Sequence, residues 1–302
     1  MTALLLGALG LTLSLAVPRL LANARWPDRA PVAGVLLWQA LTLTAVLCAL
    51  GVVLAAPEEV VRAAGARHPE TVAALLFSLA VAATIVTRLV VSLVKVTSRA
   101  RARRDRHRML VDLLDRVERH DGLSGGEVRV LEAPLPLAYC VPGRNPRVVL
   151  SDGVLDVLDR EQVDAVLAHE RAHLRHKHEL VMESFTAFYQ AVPGPLRSKA
   201  PLDAVHLLLE MVADDAARRR TGHAPLRAAL ARLADAVPLA EEVTADPEGE
   251  SRRRRLARLD RPGRSSTALA VAGTAAAAGL LVLPTVIVVV PWLARALNTW
   301  PF

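Results

Sequence analysis

Aromatic side chains are scarce, only 3% of 302 residues, and no platform is apparent on which nucleic-acid bases could stack. No helix-turn-helix spacing is present either, so direct nucleic-acid binding is not expected despite a net charge of +7. Cysteine is limited to Cys48 and Cys140, which fall in a membrane segment and in the central domain. That separation excludes a structural disulfide, and neither cysteine belongs to a metal motif. Lysine is nearly missing, with three against thirty-four arginines. Together with abundant alanine this suggests a GC-rich bacterial source and says nothing about function.

Apolar residues are in excess, at 53% of the chain. They concentrate in four runs, 2–18, 33–56, 72–94 and 265–291, each near the ~20 residues that cross a hydrocarbon core. Leu20 and Leu21 extend the first run if Arg19 snorkels. It lacks a basic residue ahead of it, so it reads as a retained anchor rather than a cleaved signal. Arg88 lies toward the end of its run that abuts Lys95, where snorkelling accommodates its charge.

Residues 95–108 carry seven Lys/Arg, and 252–264 carry seven more. The loop 19–31 is also net basic, whereas 57–71 is net acidic. In a four-span arrangement all three basic regions share one side, which the positive-inside rule assigns to the cytoplasm, with both termini outside. The expected organisation is a membrane domain 1–97 with spans at about 2–21, 33–56 and 72–94, a cytosolic domain 98–264, and a fourth span with a short extracytoplasmic tail, 265–302. Beside membrane helices, the arginine clusters point to anionic lipid headgroups as partners.

Within the central domain, 109–117 reads as an amphipathic helix and 120–126 as a turn. Strands are predicted over 127–131, 137–141 and 147–150, the last two flanking the Pro142–Pro146 turn. Helices follow through 163–173, 202–220 and 226–237, broken at Pro193-Gly194-Pro195, with an acidic linker over 240–250. The fold class is therefore mainly α: four transmembrane helices plus a cytosolic α+β domain with a small antiparallel sheet. An edge strand there could hold an extended peptide by strand addition.

Chemistry concentrates in Ala168-His169-Glu170-Arg171-Ala172-His173. Two imidazoles four apart share one helical face and can reach one metal ion. Asp159 with Gln162 has capping-box spacing, and Val163, Val166 and Leu167 continue a helical pattern toward the histidines. Glu210, in a second helical run, offers a third ligand, and Asp214 one turn later can hold a histidine ring in its tautomer and orientation. Two imidazoles and a carboxylate suit zinc, one ion per chain, with water in the fourth position. Glu170 would take that water's proton and pass it to a leaving amine, which is the layout of a zinc peptidase. Tyr189, His206, Arg218 and His223 are open as oxyanion stabilisers. Asp215 reads as solvent-facing or locally paired. His176 and His178 read as surface positions or supports of the ligands, since His178 is wrongly rotated to share the ligand face of His173.

The chain resembles the membrane zinc peptidases of the beta-lactam-sensing antirepressor type, the BlaR/MecR-like family. The resemblance rests on Ala138-Tyr139-Cys140-Val141-Pro142-Gly143, on the segment from Arg147 to Gly153, on the His169–His173 helix and on Glu210 through Asp214. It implies a gluzincin (zincin-type) metallopeptidase fold with His169, His173 and Glu210 on zinc and Glu170 catalytic. It also implies cleavage of a cytosolic transcriptional repressor in a cell-envelope or beta-lactam stress response, often with self-cleavage. Only about ten residues follow Pro291, so no penicillin-binding sensor domain is expected there and a separate sensor protein is a possible partner. The prenyl-protease and heat-shock membrane peptidases share the metal pattern, and imply membrane-protein quality control instead. A third reading is a catalytically silent membrane adaptor, against which the presence of Glu170 weighs.

Overall fold

The computed structural model describes residues 2–114, 128–194, 197–236, 247–260 and 266–286, with Val290, Pro291 and Ala294. The predicted turn at 120–126 and most of the acidic linker lie outside these residues. Contacts group the chain into two units, one formed from residues 1–94, 185–205 and 266–302, the other from 95–184 and 206–265. Residues 185–205, which the sequence reading assigns to the central domain, thus group with the apolar helices.

The first unit contains α1 (Thr2–Leu15), α2 (Val17–Ala22) and α3 (Pro31–Gly65). It also holds the apolar part of α4 (Pro69–Leu114), the C-terminal end of α7 (His178–Ala191) and α11 (Thr267–Pro284). Four helical segments are long and apolar enough to cross a membrane: Thr2–Ala22, Pro31–Gly65, Pro69–Met109 and Thr267–Pro284. Small residues set their approach, as is common where lipid tails leave close packing to bring helices together. A Cβ added to Gly10 would lie 3.1 Å from Cys48 Cβ, and one on Gly273 would lie 3.1 Å from Ala33 Cβ. Thr44 Oγ1 donates to the Leu280 carbonyl at 2.9 Å, tying α3 to α11. Arg88 does more than reach for an interface, because its Nε donates to the Ala191 carbonyl at 2.7 Å and satisfies the end of α7.

Two expected breaks are absent. The segment 57–65 continues α3 despite Pro57, because Glu58 to Ala64 are mostly good helix formers. The span 72–94 and the helix beginning at 109 are one helix of 46 residues, since 94–114 contains neither glycine nor proline to end it.

The second unit holds a three-stranded sheet in the order β1-β3-β2, with β1 Val128–Leu131, β2 Ala138–Val141 and β3 Arg147–Ser151. The expected antiparallel sheet is mixed instead. β2 and β3 form an antiparallel hairpin, whereas β1 pairs with β3 in parallel. Alternating apolar residues mark a strand but carry no direction, so the sequence could not reveal this. Val148 and Leu150 of β3 enter a core with Val154 and Leu158, with Val163, Val166 and Leu167 of α6 (Arg160–His176) and with Ala229 of α9 (His223–Ala236).

Ser151 organises the end of the sheet. Its Oγ accepts from Leu137 N at 2.8 Å and from Val154 N, capping α5 (Asp152–Val157), and donates to the Leu135 carbonyl at 2.7 Å. Gly153 N donates to the Ala133 carbonyl, and a Cβ there would fall 2.2 Å from the Pro134 carbonyl oxygen. Glycine is required by this backbone approach. A Gly153→Val variant should lower the thermal midpoint of the detergent-solubilised protein, at a cost of ~1–3 kcal/mol for the overpacked contact. An unchanged midpoint would show that the 132–137 segment is not held there.

Candidate metal centre

Helix α6 starts where the sequence predicts. Asp159 accepts from Gln162 N at 3.0 Å and Gln162 Oε1 accepts from Asp159 N, completing the capping box. Helix α8 (Ala200–Thr221) meets α6 along alanines: Ala172 packs with Ala213 and Ala216, and Ala165 and Ala168 with Ala217, Leu226 and Leu259. Methyl side chains let the two helices come close enough for short ligands to meet.

They do meet. His169 Nε2 and His173 Nε2 lie 3.1 Å apart. Glu210 reaches both, with Oε2 3.3 Å from His169 Nε2 and Oε1 3.3 Å from His173 Nε2. A tetrahedral zinc with bonds of about 2.0–2.1 Å separates its ligand atoms by roughly 3.3–3.4 Å. The three donors therefore fit such an ion, and among the described residues they are the group of this kind. Asp214, buried to 1% exposure, places Oδ1 3.0 Å from His169 Nδ1. The contact is close enough for charge attraction, yet bent away from hydrogen-bond alignment.

Arg255 is the residue that sequence reasoning missed. It sits on α10 (Pro247–Leu259) in the arginine run read as facing lipid. Its Nε and Nη2 hold Asp214 bidentately at 2.8 and 2.7 Å, while Nη1 lies 2.8 Å from Glu210 Oε2. One turn on, Arg258 holds Asp215 bidentately at 2.8 and 2.6 Å. Asp215 is thus paired rather than open to solvent. A signal existed in the paired acids at 214 and 215 and the arginines at 255 and 258, but nothing in one sequence says that these face each other.

Electrostatics follow from burial and these neighbours. Burial would raise the Glu210 and Asp214 carboxyls; His169 and Arg255 beside them instead hold both below the usual carboxylate range. Burial works against charge on His169, but Asp214 and Glu210 outweigh it and raise its pKa to about 10. Burial, with His169, His178 and Arg255 nearby, lowers His173 to about 3 despite Glu210. A cation is therefore favoured between these carboxylates. Burial pushes Glu170 up to about 7, with His169 pulling the other way. The Cys140 thiol of β2 lies beside Glu170, and burial together with that carboxylate lifts it to about 12, so it stays protonated. Cys140 is a second neighbour of the site that the sequence did not reveal.

The four residues considered for an oxyanion are occupied or exposed elsewhere. Arg218 pairs with Asp215, His223 hydrogen-bonds to the Leu259 carbonyl, Tyr189 lies under Arg197, and His206 is exposed. An Arg255→Met variant should destabilise the metal-stripped protein by about 3–5 kcal/mol, the cost of leaving buried carboxylates without their cation. Thermal unfolding with chelator and with added zinc checks this, and zinc should restore part of the loss.

Residues 100–249 match peptidase family M48. A stretch of 71 residues is 38% identical to a protease HtpX homolog of Salinibacter ruber, covering 22% of this chain and 25% of that protein. Homologs of the same description from Thermoplasma acidophilum and Pelotomaculum thermopropionicum are 32% and 31% identical over 73 and 86 residues. These cover 24% and 28% of this chain, and 23% and 30% of the relatives. The matched stretches thus span about a quarter of the curated relatives' length. No solved structure matches the chain. The antirepressor specificity implied by the sequence resemblance is not carried by these matches. Residues 100–249 form a peptidase domain of family M48, and the apolar helices on either side of it make the chain a multi-pass membrane protein.

Proposed function

We propose that the chain is a zinc endopeptidase anchored in a bacterial membrane, with His169, His173 and Glu210 as ligands and Glu170 as general base and acid. The observation that carries this reading is the convergence of the three ligand groups at tetrahedral spacing. Zinc bound there would supply Lewis acidity toward a peptide carbonyl and acidify a water. Glu170 would take a proton from the attacking water and pass it to the leaving nitrogen; its burial and raised pKa suit both roles. Asp214 orients His169, and Arg255 keeps Asp214 and Glu210 ionised and in place. Among the described residues β2 has one strand neighbour, β3. With Cys140 on β2 beside Glu170, its outer edge can align an extended polypeptide.

The substrate class we favour is membrane proteins in need of removal, since the HtpX homologs support a quality-control task at least as well as a regulatory one. The peptidase domain faces the cytoplasm and both termini lie outside, as the arginine distribution argues. Lys95, Arg99, Arg101, Arg103 and Arg106 are exposed on α4 and available to anionic headgroups. Cleavage of a transcriptional repressor, with a separate sensor protein, is the regulatory alternative carried by the sequence resemblance.

The test compares new protein N-termini in cells making wild type or Glu170→Gln at equal levels, under membrane-protein overload and under cell-wall antibiotic. Glu170→Gln should lower hydrolysis by about 10²–10⁴-fold. Many membrane-protein fragments confined to wild type are expected. A single fragment from a DNA-binding repressor would instead establish the antirepressor role, and no difference would leave a silent adaptor.

A further inference from the structure

A third imidazole stands behind the ligand pair. His178 is 5% exposed, and its Nδ1 lies 2.8 Å from His173 Nδ1. The two rings are perpendicular with centroids 4.7 Å apart, and His176 stacks on the outer side of the pair at 5.7 Å from His178. Two ring nitrogens at that distance need one proton between them, so one donates and the other accepts. His173 already turns Nε2 toward His169 and Glu210. A ligand nitrogen must keep its lone pair, which puts the proton of His173 on Nδ1. His178 then accepts at Nδ1 and carries its own proton on Nε2.

We infer that His178 is the positioning residue of the second metal-binding histidine, fixing the tautomer and ring plane of His173 through an Nδ1–H···Nδ1 hydrogen bond. This rests on the zinc-site reading above. A continuous helix would turn His178 about 140° from His173. Lys177 breaks it instead: with φ of 50° it closes α6 in the left-handed region, and α7 restarts at His178. The restart swings the ring back under His173.

The two ligand histidines are therefore supported by different chemistry. His169 has the Asp214 carboxylate, whereas His173 has a neutral imidazole. Glu170, Glu210 and Asp214 already crowd the site with carboxylates, and a further anion at 178 would add like-charge repulsion in a buried place. An uncharged acceptor orients the ligand without that penalty.

The full-length protein in detergent is titrated with a zinc chelator of known affinity, as wild type, His178→Leu and His178→Asn, with thermal unfolding of each. His178→Leu should bind zinc 10–100-fold more weakly, and His178→Asn, whose side-chain oxygen can accept, should regain most of that affinity. A residue that merely fills space would lower the unfolding midpoint in both variants without this difference in zinc affinity. Equal affinity in wild type and His178→Leu, or no recovery in His178→Asn, overturns the inference. Nitrogen-15 spectra of histidine-labelled wild type give a variant-free check: Nδ1 of His178 must be unprotonated, and a proton found there overturns it. A wild type that binds no zinc at all would instead overturn the site reading on which this rests.

Discussion

Two carboxylates cannot lie side by side out of water unless a cation shares the space, and that constraint governs the centre of this protein. Glu210 and Asp214 are one helical turn apart on α8, and Arg255 bridges them with three short contacts. Desolvation of all three groups is expensive, and it is their mutual attraction and hydrogen bonding that offset it. A guanidinium suits the task better than an ammonium, because its planar fork can hold Asp214 with two nitrogens and still offer a third to Glu210. The contacts of Glu210 with His169 and His173 depend on its staying ionised and in place.

The second constraint is steric. Imidazole and carboxylate side chains are short, so the helices carrying them must approach closely. Alanines at 165, 168 and 172 on one side and 213, 216 and 217 on the other permit this. The composition read as a bias of coding also serves the architecture at these positions. On the far side of α6, the branched residues Val163, Val166 and Leu167 meet β3. One helix thus shows a large-residue face to the sheet and a small-residue face to its ligand partner.

How much of this was legible in the sequence depends on whether the cause was local. The capping box at Asp159, the metal-ligand spacing of His169 and His173, and the four apolar runs each follow from residues within one turn or one run. Glu210 and Asp214 were legible because helical spacing constrained both. Arg255, Cys140 and the parallel pairing of β1 were not, since each depends on which distant segments face one another. His178 was left open between a surface position and a support of the ligands, because the rotation argument assumed an uninterrupted helix; a single left-handed residue at Lys177 breaks it and brings the ring to His173. Lysine carries no composition cue for such a break, unlike glycine or asparagine.

Arg255 follows Asp214 by 41 positions, and this order has a consequence during synthesis. The ribosome releases His169, His173, Glu210 and Asp214 before the guanidinium that balances the two carboxylates. A chain halted before α10 would carry Glu210 and Asp214 without their counter-charge, and water rather than protein would have to solvate them. The site can become dry and rigid only once the segment leading into the last apolar helix has been made. Completion of α10 is in this way a precondition for the charge balance around Glu210 and Asp214.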